Sequence, residues 1–467
     1  VSNFDTSQVT NMDNMFRFLS EVKSLTLNFN TQKVTSMSSM FEECQSLQYL
    51  DIKSFDVKNV KKANSLFNNC KSLTSVDLSR FNTENMQDIS YMFHGCSQLT
   101  SIDLTLFNTK NVENFSYLFN QCSNLTSLDL SSFDTSNGVN MYHMFSSCEK
   151  LRTIKNMNFN TKKVEDMANM FERCSSLISL DVSSFDTSNA GDMYFMFGYC
   201  KSLSYLDVSK FKTNLVRDMS HMFDGCENLS NLDLRGFDTS QVTDMSYMFQ
   251  GCKKIDRLDV SSMVTEKVTN TQNMFRDCAS LQSLNLDNFK TVEVINMSQM
   301  FKGCRQLKEL TLTNFNTKEV VSMQSMFEDC AELTSLDLSS LITTEVNDMS
   351  NMFMNCYKLE TLKISSFNTE RVRYMQNMFS NCKKVTSLDL SNFKTNSVVQ
   401  MENMFNYCTQ IKMLDLKGFK TENVRNLTNV FHNCLNLKSL DLSSFDTSRV
   451  KDMSSLFDNC QKITSLD

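Results

Sequence analysis

Apolar residues in this chain follow a pattern that keeps returning. In Met245-Ser-Tyr-Met248-Phe249-Gln-Gly-Cys252 they stand at i, i+3, i+4 and i+7, the spacing of one face of a short helix. Asp244 precedes the run, where a carboxylate can cap the first free N–H groups. Gly251 lies near its end, where a left-handed residue stops a helix. In the adjoining stretch, as at Cys226, Leu229, Leu232 and Leu234, the spacing changes to C-x-x-L-x-x-L-x-L. Its closing L-x-L alternates inward and outward as a strand does, so Asp233 between the leucines points out. Phe237-Asp238-Thr239 turns the chain, Val242 re-enters the core, and the next helix begins. Each unit is therefore predicted to be strand, turn, short helix, turn.

The motif phenylalanine occurs eighteen times, from Phe16, Phe41, Phe67 and Phe93 to Phe457. Every interval from Phe41 onward is 26 residues and the first is 25. One such unit cannot bury its own apolar face, but stacked neighbours can. The expectation is an α/β repeat solenoid, leucine-rich-repeat-like, with about 18 turns of short parallel strand plus short helix. It would run over 1–467 as a single domain. The chain starts at Val1 and stops at Asp467 in mid-repeat without polar caps, which reads as a segment of a longer polypeptide.

The columns differ in chemistry. Of the 32 methionines, 27 fall at the two helix positions, where they serve as flexible core filler. All 17 cysteines, Cys44 to Cys460, share one column. An odd count without C-x-x-C spacing is neither a disulfide framework nor a metal site. Buried thiols are expected there, with coil-to-coil disulfides as the alternative. Threonine stands two residues after the turn phenylalanine in seventeen of eighteen repeats, with Val57 the exception. Its hydroxyl is expected to bond nearby backbone. An ice-binding ladder would want a second matching column, and the one at Thr10, Thr35, Thr243 and Thr269 gives way to Lys, Glu and Arg.

Aspartate fills the outward strand position at Asp51, Asp77, Asp103, Asp129, Asp181, Asp207, Asp233, Asp259, Asp337, Asp389, Asp415 and Asp441. Carboxylates stacked at strand spacing repel, so something must offset them. Hydrogen bonds from backbone or serine would do so, as would Ca²⁺, which favours oxygen ligands, or a polar partner. This column is the candidate binding face.

Composition narrows the function. With 46 basic and 53 acidic residues the net charge is −7, which argues against a nucleic-acid or anionic-membrane footprint. No apolar run is long enough to span a bilayer. There is no proline and there are nine glycines, so turns must come from Asn, Asp, Ser and Thr. His94, His143, His221 and His432 have no fixed spacing and are expected on the exposed helix side. No phosphate loop, nucleophile elbow or H-E-x-x-H motif is present. These features imply no enzyme and no cofactor.

The strings L-T-S-L-D-L-S-S-F-D-T-S (Leu125 to Ser136) and V-T-D-M-S-Y-M-F-Q-G-C (Val242 to Cys252) resemble the repeat of BspA-like leucine-rich surface proteins, and the likeness covers the whole chain. It implies a leucine-rich-repeat-like solenoid on a cell surface or outside the cell, adhering to a protein or glycan partner, with no catalytic residues and no cofactor. The alternative is a structural stalk, sheath or filament formed by end-to-end self-association of uncapped solenoids.

Overall fold

Parallel hydrogen bonds between successive coils organise the chain. A computed structural model describes residues 3–466. Val1, Ser2 and Asp467 lie outside the described residues, and with them the chain ends on which the uncapped-solenoid expectation rests. The eighteen motif phenylalanines enclose a β-solenoid of about 17 coils. The coils fall into two compact units, Val1–Phe237 and Asp238–Asp467.

In the first unit, β1 (Ser24–Thr26) pairs with β2 (Tyr49–Asp51), and β3 (Ser127–Asp129) with β4 (Thr153–Lys155). In the second, β5 (Arg257–Asp259) pairs with β6 (Ser283–Asn285), and β7 (Ser335–Asp337) with β8 (Thr361–Lys363). There too β9 (Ser439–Leu440) pairs with β10 (Ser465–Leu466). All are parallel and in register by one repeat, so Leu128 faces Ile154 and Leu336 faces Leu362. Like therefore sits on like. A second ladder of single bridges is more continuous. It links Asn11, Ser36, Lys62 and Asp88 through to Asp218 in the first unit, and Asp244 through Asn270 to Gln400 in the second. These are the positions expected to cap helices.

No helix is present among the described residues, which corrects the short-helix expectation. The backbone from Met245 to Cys252 makes a run of overlapping turns instead. Met248, Gln250 and Cys252 each donate their N–H three residues back, to Met245, Tyr247 and Phe249. The alternate N–H groups of Met245, Tyr247, Phe249 and Gly251 cross to the next coil, reaching the carbonyls of Asn270, Gln272, Met274 and Arg276 at 2.7–3.1 Å. Two residues per coil, two before and two after the motif phenylalanine, have positive φ in all eighteen copies; at Tyr247 and Gly251 the values are 59° and 68°. A positive φ at the third residue is what a type II turn requires. Spacing explains why turns win. An α-helix is roughly 10 Å across, whereas bonded strands lie about 4.8 Å apart. A helix in each coil would force neighbouring coils apart, while a turn run is one hydrogen-bonded layer thick. The motif rings confirm the close approach, with Phe41 to Phe67 at 5.8 Å and Phe67 to Phe93 at 5.5 Å, stacked nearly parallel.

The apolar pattern still marks the core. Met245, Met248, Phe249 and Cys252 are fully buried. All seventeen cysteines are free thiols. Cys70 donates its S–H to the Phe41 carbonyl at 3.2 Å, Cys96 to Phe67 at 3.2 Å, and the same bond recurs along the column. Burial raises these thiols, to about 12 at Cys96 and Cys148. The threonine column is buried too, and its hydroxyls bond the neighbouring coil rather than local backbone. Thr109 Oγ1 donates to the Asp134 carbonyl at 2.8 Å and accepts the Asp134 N–H at 2.9 Å. A hydroxyl held in this way is not offered to an external lattice.

Candidate recognition face

The outward strand column is the most regular exposed feature. In L-D-L the leucines face the core, which leaves the intervening residue on the outer surface. Each of the twelve aspartates accepts the backbone N–H of the residue two further on through Oδ1. Asp77 accepts from Ser79 and Asp103 from Thr105 at 3.0 Å, and Asp181 accepts from Ser183 at 2.9 Å. Asp51, Asp129, Asp207, Asp233 and Asp259 do the same with Lys53, Ser131, Ser209, Arg235 and Ser261. So do Asp337, Asp389, Asp415 and Asp441 with Ser339, Ser391, Lys417 and Ser443. This is the local turn that Asp makes with its own backbone. Where serine follows, its hydroxyl often adds a second bond to the same oxygen, at 2.6 Å for Asp207 and Asp441.

These donors stabilise the charged form. Hydrogen bonds from Ser79 hold the Asp77 carboxyl below its ordinary value, and Ser183, Ser391 and Ser443 act likewise on Asp181, Asp389 and Asp441. Asp233, bonded by the Arg235 side chain, and Asp337, bonded by Lys363, are pulled down to about 2. Repulsion along the column is real but smaller: Asp77 raises Asp103 against the larger lowering by Thr105. Oδ1 is thus committed to the protein, and Oδ2 is engaged by Arg235 at 2.7 Å in Asp233, by Lys363 at 2.8 Å in Asp337 and by Lys53 at 3.9 Å in Asp77. Lys155, Asn285, Thr311 and Lys363 interrupt the column. The structure brings together Asp51, Asp77, Asp103 and Asp129 on consecutive coils, and Asp389, Asp415 and Asp441 on three more. Among the described residues, no group of three His, Cys, Asp or Glu side chains is placed to hold a metal ion.

Apolar side chains are scattered over the same side. Tyr49, Ile178, Tyr205 and Met413 are more than half exposed, which adds small hydrophobic contacts to a polar surface. The histidines depart from expectation. All four are half-buried, because they sit in or beside the positive-φ columns, whose side chains stack coil on coil. His143 stacks on Tyr117 at 4.8 Å and His221 on Phe195 at 4.1 Å. Burial lowers His143 to about 4, and the positive charge of His94 adds to the lowering.

A parallel β-solenoid whose coils bury their apolar columns and expose polar ones defines a repeat protein. This chain belongs to the family described as "Mycoplasma protein of unknown function, DUF285", whose model matches residues 1–103, 87–205, 192–285, 277–388 and 384–466. No curated protein matches it in sequence. Among solved structures it is similar to a leucine-rich repeat protein from Bacteroides ovatus, at 16% identity over 97% of each chain, TM-score 0.41. It is also similar to a leucine rich cell surface protein from Faecalibacterium prausnitzii, at 15% identity over 76% of this chain and 83% of that one, TM-score 0.36. A leucine-rich repeat protein from Eubacterium ventriosum is similar at 14% identity over 86% and 87%, TM-score 0.30. The fold assignment rests on the register and burial described above. No helix among the described residues is long and apolar enough to cross a membrane.

Proposed function

We propose that this is a non-enzymatic, leucine-rich-repeat surface protein of BspA-like kind, which adheres to a protein or glycan partner through its outward strand face. The observation that carries the reading is the fixed carboxylate ladder, in which Oδ1 is pinned by the N–H two residues on while the side chain stays exposed, as at Asp77, Asp103 and Asp129. Side chains ordered before contact lose little freedom on binding, and weak contacts repeated along an array gain strength from multivalency. The unbroken 26-residue interval from Phe41 to Phe457 supports treating 1–467 as one array. Location at a cell surface or outside the cell is part of the same reading.

The test replaces Asp77, Asp103, Asp129, Asp389, Asp415 and Asp441 together by asparagine in the full chain. Asparagine keeps the acceptor for the local turn and removes the charge, so folding is expected to survive. Beads coated with either protein are then scored for attachment to epithelial monolayers and immobilised matrix proteins. The substituted chain should attach several-fold less. Attachment by both proteins to the same extent would remove the strand face from the reading. Long fibres of the purified chain by electron microscopy, without attachment, would favour the filament alternative.

A further inference from the structure

One trough in the second unit departs from the charge pairing of the array. Elsewhere a basic side chain commonly meets a carboxylate one coil away, as Lys302 meets Glu328 at 2.8 Å, Lys358 meets Glu332 at 2.7 Å, and Arg371 meets Glu345. Arg373 and Arg425 have no ion-pair partner among the described residues. Both are exposed, and Arg373 lies over the Tyr374 ring at 5.9 Å. With Arg449, whose Nη1 donates to Asn423 Oδ1 at 3.1 Å, they line a trough of about 390 Å³ that also takes in Val399, Glu402 and Asn426. Three of the chain's thirteen arginines are gathered here. The overall charge of −7 conceals them, because residues 360–451 carry thirteen basic and eight acidic side chains.

The backbone fixes their spacing. Val399 donates its N–H to the Arg373 carbonyl at 2.9 Å, and Lys451 donates to Arg425 at 2.8 Å, so Arg373, Val399, Arg425 and Lys451 occupy one column on consecutive coils. Arg373 and Arg425 are two coils apart, roughly 10 Å, with the apolar Val399 between them. One small anion cannot bridge that distance, but successive anionic groups on a polymer can. Guanidinium groups match sulfate and carboxylate geometry.

We propose that this trough binds a linear acidic polysaccharide, with anionic groups on Arg373 and Arg425 and the intervening sugar against Val399. A nucleic acid fits less well. Its phosphate on every residue would meet Glu402 and the net negative charge of the chain, and the one ring beside the trough, Tyr374, is covered by Arg373. The site uses other columns than the strand face and stands whether or not that face recognises a partner.

The test measures binding of a fluorescent heparin oligosaccharide to the full chain near physiological salt. R373E/R425E should bind at least about tenfold more weakly, since each lost charged contact matters at that scale, and E402Q should bind more tightly. Both arginines are exposed, so the melting temperature should not move. K58E/K110E, carrying the same net charge, should bind as the parent does. Equal weakening in that control would show a response to net charge alone and overturn the site. Single-stranded DNA of equal charge binding as tightly, with the same loss in R373E/R425E, would overturn the polysaccharide assignment. Absence of heparin binding by the parent chain would do so as well.

Discussion

Replacing Thr369 by valine isolates what the buried hydroxyl column contributes. Thr369 is fully buried; its Oγ1 donates to the Lys394 carbonyl at 2.9 Å and accepts the Lys394 N–H at 2.8 Å. Valine keeps the shape and removes both bonds, leaving two backbone groups of the next coil without their partner. Each net bond is worth about 1 kcal/mol, and an unsatisfied buried group costs about 1–3 kcal/mol more. Because the Lys394 side chain is exposed, water reaches part of this site, and a loss of about 2 kcal/mol is expected from that range. The chain carries the reverse experiment in Val57, the one non-threonine of the column. There the Asn82 N–H turns to the Arg80 carbonyl at 3.0 Å, where its counterpart Lys394 bonds threonine. Val57→Thr should therefore raise stability by about 1 kcal/mol. Urea unfolding of the full chain, followed by circular dichroism, reads both changes. A Thr369→Val loss below about 0.5 kcal/mol, the range of an ordinary surface substitution, would show that the hydroxyl does not hold adjacent coils together.

Other consequences can be checked in the same preparations. Buried thiols raised from 9.0 to about 12, as at Cys96, Cys148, Cys200 and Cys278, hold more protons folded than unfolded. Their contribution is complete below pH 9 and is lost as pH rises toward 12, so a steep alkaline unfolding is expected above pH 9; unchanged stability at pH 10.5 would contradict it. His143, lowered to about 4 from 6.5, acts in the opposite sense: its contribution is present above pH 6.5 and lost as pH falls toward 4. His143→Gln should flatten the stability profile over that window, and an unaltered slope would remove the histidine as its source. Gln299, at φ 58°, should gain up to about 1 kcal/mol on replacement by glycine and lose stability with valine, because left-handed backbone penalises a branched Cβ. Equal melting temperatures would show that the strain is negligible. Millimolar calcium should leave melting unmoved, since Oδ1 of the strand aspartates is already bonded; a rise with calcium concentration would place a cation on the column.

The inward columns were legible because burial dictates them residue by residue: Met245, Met248, Phe249, Cys252 and the strand leucines all lie where their spacing put them. The helix was misread because i, i+3, i+4, i+7 specifies which residues face inward, not how the backbone hydrogen bonds are closed. A run of four-residue turns, each closed by an N–H bonded three residues back, satisfies the same spacing. Its signature was present but muted. The position two after the motif phenylalanine holds Asn69, Gly95, Gly225, Gly251, Asp277 and Gly303, residues that tolerate positive φ. Gln121, Arg173 and Tyr199 occupy the same position in other coils and hid the rule. The aspartate column was visible as a column, but its bond to the second residue onward depends on backbone geometry. The 26-residue period places Arg373 and Arg425, 52 residues apart, in one column, but that they and Arg449 line a common trough emerges only once the coils stack.

The alternation of amide donors in the turn run also sets how the protein responds to tension. Every second N–H there is bonded to a different coil, so a pulled coil must break a row of bonds together before any residue comes free. Once the row fails, 26 residues are released at once, lengthening the chain by roughly 80–90 Å at full extension. Single-molecule stretching should give a sawtooth with that increment, and a smooth curve would rule out row-by-row failure. Such a chain would act as a stepwise shock absorber, giving length in fixed increments while the remaining coils stay intact.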